Sequence, residues 1–155
     1  MLKIKRLYED AQLPIQGTSG SVGLDLHAYL PGHGLNGESL NSIFLLPGQR
    51  KLIKSGLAMR PAPGYFIRVL PRSGASLNLG LHVLAGVIDP DYTGDVSTMA
   101  LNVSNQIIEI KHGMRIAQAV LLAYGNPLWQ EVDELEDTAR GASGFGSTGD
   151  GIIRA

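Results

Sequence analysis

Apolar residues recur at every second position in short runs, and no run grows into the long one-sided stripe that a helix needs. Val22, Leu24, Leu26 and Ala28 alternate with Gly23, Asp25, His27 and Tyr29, the pattern of a strand buried on one face. Apolar or β-branched stretches follow at 43–46, 51–53, 65–70, 81–88, 96–103, 107–110 and 116–124. Between them stand Pro47-Gly48, Pro61-Ala62-Pro63-Gly64, Asp89-Pro90-Asp91, Ser104-Asn105, His112-Gly113 and Gly125-Asn126-Pro127, all combinations that favour turns. Short strands at this spacing predict an all-β sandwich or jelly roll with little helix.

Two stretches break the pattern. Pro31 to Asn41 carries three glycines and few apolar side chains, and reads as a surface loop. From Glu131 the chain turns acidic and then glycine-rich, with too little apolar area to fold alone. The expected organisation is one β domain over residues 1–133 followed by a flexible glycine-rich arm over 134–155. A chain of 155 residues, 44% hydrophobic and 17% charged, suits one such domain.

Charge and cysteine content narrow the functions. There is no cysteine, which excludes a disulfide framework and a thiolate metal site. A net charge of −1 argues against a broad nucleic-acid or membrane surface, so any phosphate recognition must be local. Met1 to Asp10 mixes charge with apolarity, and neither a signal peptide nor a membrane span is expected. A soluble protein of the cytoplasm is expected, or of the nucleus if the source is eukaryotic or viral.

The densest polar cluster is Asp89-Pro90-Asp91-Tyr92-Thr93-Gly94-Asp95, read as a hairpin tip. Asp-Pro is also a common opening of a plain type I turn. A calcium loop fails here, because its twelfth position is Ala100 and no flanking helices are expected. Pro71-Arg72-Ser73-Gly74 ends a strand-like run and offers a guanidinium, a hydroxyl and an open amide to phosphate oxygens, or else forms an ordinary turn. Gln118, inside an apolar run, reads either as a satisfied core amide or as a ligand contact, and Arg115 as a structural partner of Asp25. In the tail, Gly144 and Gly149 have the separation of P-loop glycines, but Asp150 and Gly151 stand where Lys and Ser/Thr belong. Arg140, Phe145, Ser147 and Thr148 nevertheless supply a cation, a stacking ring and hydroxyls on glycine-rich backbone. His27, His33, His82 and His112 lack metal-ligand spacing, and no nucleophile elbow is present.

Individually weak, these signals together resemble the homotrimeric dUTPase family, whose five motifs span nearly the whole chain. They correspond here to Val22–Ala28, Pro71–Gly74, Gly86–Val96, Gly113–Gln118 and Arg140–Gly149. The resemblance implies a jelly-roll homotrimer that hydrolyses dUTP with Mg²⁺ and shares each active site between subunits. It also implies roles. Asp89 would activate water, and Tyr92 would pack under deoxyribose. Val83, Gly86 and Ser97 would belong to the backbone that reads uracil. Arg72, Ser73, Gly74 and Gln118 would hold phosphates. Phe145 and Gly146 would cover the base while Arg140, Ser147 and Thr148 approach the γ-phosphate, and Asp25 would support the metal through water. Two departures stand out: Met114 replaces a usual acidic residue, and Ala75-Ser76 replaces a usual Leu-Ala. A dCTP deaminase of the same superfamily is the alternative, but its pattern carries a second Ser where this chain has Gly74.

Overall fold

Period-two runs become strands in this computed structural model, which describes residues 1–31, 41–125 and 128–142. In chain order they are β1 (Lys3–Arg6), β2 (Ile15–Gln16), β3 (Gly23–His27), β4 (Ser42–Leu45), β5 (Arg50–Ile53), β6 (Leu57–Arg60) and β7 (Tyr65–Leu70). A short helix α1 (Ser73–Leu79) then precedes β8 (Leu81–Leu84), β9 (Val87–Ile88), β10 (Thr98–Asn102), β11 (Ile108–Lys111) and β12 (Arg115–Ala123). The loop expected over Pro31–Asn41 lies outside the described residues except for its two ends.

The chain divides into two units, Met1–Gly125 and Asn126–Ala155. All the described strands belong to the first. A five-stranded sheet runs β2-β3-β12-β7-β9 and a three-stranded one β5-β10-β8, with β1-β6 and β11-β4 as separate antiparallel pairs. Leu26, Ile67, Val69, Ile116 and Ala119 from the large sheet meet Ile53, Leu57, Leu81, Ala100 and Ile110 from the others in one buried cluster. This is the all-β jelly roll that the strand spacing predicts. In the second unit the described residues 128–142 contain no strand or helix.

Three local differences from the sequence reading have physical causes. The pattern of β3 is not one-sided: Leu26 and Ala28 are buried, but His27 and Tyr29 are too, while Val22 is exposed. β3 sits between β2 and β12 inside the large sheet, so both of its faces are partly covered. Next, Pro71-Arg72-Ser73-Gly74 opens α1 instead of forming a plain turn: Arg72 is the N-cap residue with extended backbone, and Ser73 is the first helical residue. Ala75 is buried beneath that helix and the Ser76 hydroxyl donates to the carbonyl of Leu81 at 3.1 Å, so the Ala75-Ser76 pair fastens α1 to β8. The Met114 departure also has a packing reason, since its side chain lies half-buried against the core.

The third difference matters most. The apolar run 81–88 predicts one strand, but the chain breaks it at Ala85-Gly86 and changes sheets there. β8 pairs with β10, whereas β9 pairs with β7. Ala85 takes φ 59, the single positive φ of a non-glycine residue among those described, and Gly86 takes φ 102. The crossing is tight. Gly86 accepts a bond from the Val69 N–H at 2.7 Å, and a Cβ on Gly86 would lie 2.3 Å from the Val69 carbonyl oxygen. Glycine is required there by both conformation and space.

Candidate active site

The sheet crossing forms the wall of a cavity of about 270 Å³ lined by Leu52, Leu84, Ala85, Gly86, Val87, Ile88, Asp89, Tyr92, Asp95, Ser97 and Met99. Asp89 to Tyr92 closes as a β-turn, with the Tyr92 N–H donating to the Asp89 carbonyl at 3.1 Å. Pro90 at the second position suits that turn because its φ is already set. The tip does not join two paired strands, because β9 and β10 belong to different sheets. It is therefore a connection between sheets.

Side chains at this cavity divide sharply by whether they are already engaged. The exposed Asp89 carboxylate has no hydrogen bond or ion pair to a described residue, so its oxygens remain available to accept. Tyr92 folds back and donates its hydroxyl to the Asp95 carbonyl at 3.2 Å. The Ser97 hydroxyl donates to the Asp95 carboxylate at 3.1 Å, and Ser97 is one of the residues lining the cavity. Val83 stands apart: it is buried in β8 opposite Ala100 and does not line this cavity.

A second cavity of about 230 Å³ is lined by Gly17, Ser21, Gly23, Asp25, Arg72, Ser73, Gly74, Arg115 and Gln118. Asp25 is its electrostatic centre. Its Oδ1 accepts from Arg72 Nε at 2.7 Å and its Oδ2 from Arg115 Nη1 at 3.2 Å. Arg72 Nη1 also donates to the Arg115 carbonyl at 3.4 Å. Two guanidiniums against one carboxylate leave local positive charge on a chain that is slightly negative as a whole. Fork-shaped guanidinium donors suit phosphate oxygens, and holding them in place in advance removes part of the entropy lost on binding.

Gln118 reaches this cavity because of a glycine. It donates from Nε2 to the Pro71 carbonyl at 2.9 Å, and its Oε1 sits 2.0 Å from where a Cβ on Gly23 would lie. Gln118 thus has its amide N–H bonded to the chain while the residue also lines the cavity. Behind the arginines His27 is buried, and its Nδ1 has no partner among the described residues. Burial pushes its imidazole below the usual range; Asp25 opposes that shift, while Arg115 and Arg72 add to it.

No residue lines both cavities. The carboxylate, the tyrosine and the crossing face one space, and the arginines, Ser73, Gly74 and Gln118 face the other. Arg140 belongs to the second unit, exposed in a turn that Gly141 closes by donating to the Thr138 carbonyl at 3.0 Å. Phe145, Gly146, Ser147 and Thr148 lie outside the described residues.

Among the described residues no three acidic or histidine side chains converge as a metal site. Asp25 spends one acceptor direction of each oxygen on an arginine, and a carboxylate has about four. Each Asp25 oxygen therefore keeps an acceptor direction open toward the recess.

Sequence reasoning passed over Asp95, which both lines the first cavity and holds its wall, and Ala85, whose conformation no local signal announces. It also missed the apolar lining by Leu52, Leu84 and Met99. Asp95 closes the same acidic cluster as Asp89 and could have been singled out there; the other four carry no marker in a single sequence.

Fold and cavities together define a class: an all-β protein with a cationic recess and a separate, partly apolar pocket edged by an available carboxylate. Comparison with known proteins narrows it. The family model for dUTPase matches residues 9–149. A deoxyuridine 5'-triphosphate nucleotidohydrolase of Nautilia profundicola is 43% identical over 150 residues, covering 96% of this chain and 98% of that protein. One of Treponema denticola is 40% identical, covering 93% and 95%. Among solved structures, the dUTPase of Staphylococcus bacteriophage 80alpha with dUPNHPP superposes with a TM-score of 0.81 at 25% identity, covering 96% of this chain and 98% of that one. A mutant dUTPase from phage phi11 of S. aureus, in which a structural Mg(II) ion is coordinated, shares the fold with a TM-score of 0.74 at 21% identity, covering 88% and 99%. The chain belongs to the dUTPase family, a family of hydrolases.

Proposed function

We propose that this protein is a dUTP pyrophosphatase that converts dUTP and water into dUMP and pyrophosphate, limiting uracil in DNA and supplying dUMP for dTMP synthesis. The observation that carries the reading is the pairing, in one family member, of an available Asp89 at one pocket with pre-set arginines in a second recess.

In this reading uracil and deoxyribose enter the Asp89 pocket. Main-chain groups of the Gly86 crossing and of Ser97 pair with the uracil edge, so cytosine, with donor and acceptor exchanged, leaves buried groups unpaired. A site built that way discriminates by about 10⁴-fold or more. Val83 supports the wall from within the core. Tyr92 packs under the sugar and leaves no room for a 2′-hydroxyl. Arg72, Ser73, Gly74 and Gln118 hold the phosphate chain. Asp89 accepts a proton from a water aligned with the α-phosphorus; the oxygen bonds to phosphorus as the bond to pyrophosphate breaks. Mg²⁺ bound to the phosphates would neutralise charge there, with Asp25 contacting its water shell. No protein nucleophile is needed.

The separation of the two cavities favours assembly. A homotrimer that places the Asp25–Arg72 recess of one subunit against the Asp89 pocket of another would complete each site. Exposed Leu52, Val103 and Ile107 supply apolar surface for such contacts. The arm beginning near residue 134 would then close over the site, with Phe145 and Gly146 on uracil and Arg140, Ser147 and Thr148 at the γ-phosphate. The domain division expected at 133/134 belongs to this proposal. Neither nucleic acid nor membrane is a partner in it, and cytoplasm or nucleus is its setting; no helix among the described residues is long and apolar enough to cross a membrane.

The test is pyrophosphate release from dUTP, dCTP, dTTP and UTP with Mg²⁺, with ammonia release from dCTP measured in parallel. Turnover confined to dUTP supports the reading. Ammonia from dCTP would replace it with a deaminase.

A further inference from the structure

The pocket wall must hold its shape without a strand ladder, because the connection from Ile88 to Thr98 runs between sheets. One side chain replaces the ladder. Asp95 Oδ1 accepts from the Ser55 N–H at 2.9 Å and from the Ser97 hydroxyl at 3.1 Å, while Oδ2 accepts from the Gly56 N–H at 3.0 Å. Ser55 is itself buried, and its hydroxyl accepts from the Leu57 N–H at 3.2 Å, so the anchor point is rigid. On its main-chain side Asp95 offers its carbonyl to the Tyr92 hydroxyl and to the Ser97 N–H, the latter at 2.8 Å. The carboxylate clamps the tip to the β5–β6 turn, and the carbonyl of the same residue sets the tyrosine ring.

We propose that Asp95 is a positioning residue that fixes Tyr92 and Ser97 at the pocket and thereby sets the discrimination between deoxyribose and ribose. Its carboxylate accepts from Ser55, Gly56 and Ser97, so the side chain is turned to donors of the chain itself and acts through its neighbours. This rests on the dUTP reading above: Tyr92 can sort sugars only if a nucleotide sits in this pocket. Charge-assisted bonds from two main-chain N–H groups are the strong kind, and they are directional. With them gone, the Tyr92 ring can move by the fraction of an ångström that admits a 2′-hydroxyl.

Asp95→Asn tests this with little change of shape. The amide keeps one acceptor oxygen but turns an NH₂ toward either the Ser55 or the Gly56 N–H, donor against donor. We compare kcat/KM for dUTP and for UTP in wild type, Asp95→Asn and Asp95→Ala, and follow amide exchange over residues 92–97 in the ligand-free proteins. Faster exchange with a dUTP:UTP ratio at least about tenfold lower, the size of one lost hydrogen bond, is expected. If Asp95→Ala does not fold, Asp95→Asn alone carries the comparison. A merely structural role would lower both activities together and leave the ratio untouched, and that result overturns the proposal. Unchanged exchange overturns it too. A wild type that turns over neither nucleotide instead refutes the dUTP reading itself, and this inference falls with it.

Discussion

Gly86→Ala should be among the most damaging single changes in this chain, and the structure gives its size. The new methyl would lie 2.3 Å from the Val69 carbonyl oxygen, a backbone atom held in β7 between β12 and β9. That oxygen cannot swing aside, so the crossing must lift. Lifting breaks the 2.7 Å bond between the Val69 N–H and the Gly86 carbonyl, and Val69 is only 1% exposed. A buried N–H left without its partner costs about 1–3 kcal/mol, and a Cβ at positive φ adds roughly 1–2 kcal/mol. The sum is about 2–5 kcal/mol, equivalent to a fall in Tm of roughly 4–20 °C for a chain of this size. Gly48→Ala is the control. Its φ is 73, but nothing lies within 4 Å of the added Cβ, so only the conformational cost applies. Thermal unfolding followed by circular dichroism, at one protein concentration, compares the two. Gly86→Ala should melt well below Gly48→Ala and should raise KM for dUTP. Equal melting within about 2 °C would refute the close-contact reasoning.

Three other outcomes are expected. Asp89→Asn should lower kcat by at least about 10²-fold while a non-hydrolysable dUTP analogue binds within a few-fold of wild type, because the amide keeps the shape but cannot take the proton of water. Tyr29→Phe should flatten stability at high pH. The Tyr29 phenol is pushed up to about 12 by burial and by its bond to Asp10, so its contribution is complete below pH 10 and is lost as pH rises toward 12; denaturant melts at pH 9 and pH 11 measure that slope in both proteins. Asp89→Asn and a truncation after Glu136 should rescue each other when co-refolded, with about a quarter of sites restored if a closed trimer draws carboxylate and arm from different subunits, and none if one subunit supplies both.

The sequence is most informative where one physical signal dominates. Strand β7 covers the predicted run 65–70, because Pro-Gly before it and Pro after it fix both ends. The Asp25–Arg115 pair was visible as complementary charges, and the structure closes it at 3.2 Å. Where two signals compete, the sequence misleads. The run 81–88 has uninterrupted strand composition, yet the approach of Val69 forces a sheet change that only the three-dimensional arrangement reveals. β1 and β6 escaped notice because each is only four residues long and mixed with Lys3, Lys5 and Arg60; they pair with each other, Ile4 opposite Met59, and β6 also buries Leu57 and Met59 in the core. The helix α1 was hidden for a different reason: a seven-residue element with one buried side chain leaves almost no periodic trace. Site chemistry was legible as clusters of polar residue types, whereas their grouping into two separate cavities depends on packing between distant strands.

Mass analysis of products formed from dUTP in H₂¹⁸O, with Mg²⁺ and under single-turnover conditions, tests the central claim most directly. Water held by Asp89 for attack on the α-phosphorus delivers one ¹⁸O to dUMP and none to pyrophosphate. Label in pyrophosphate with unlabelled dUMP would place the attack on the β-phosphorus and contradict the account, as would recovery of dUTP unchanged.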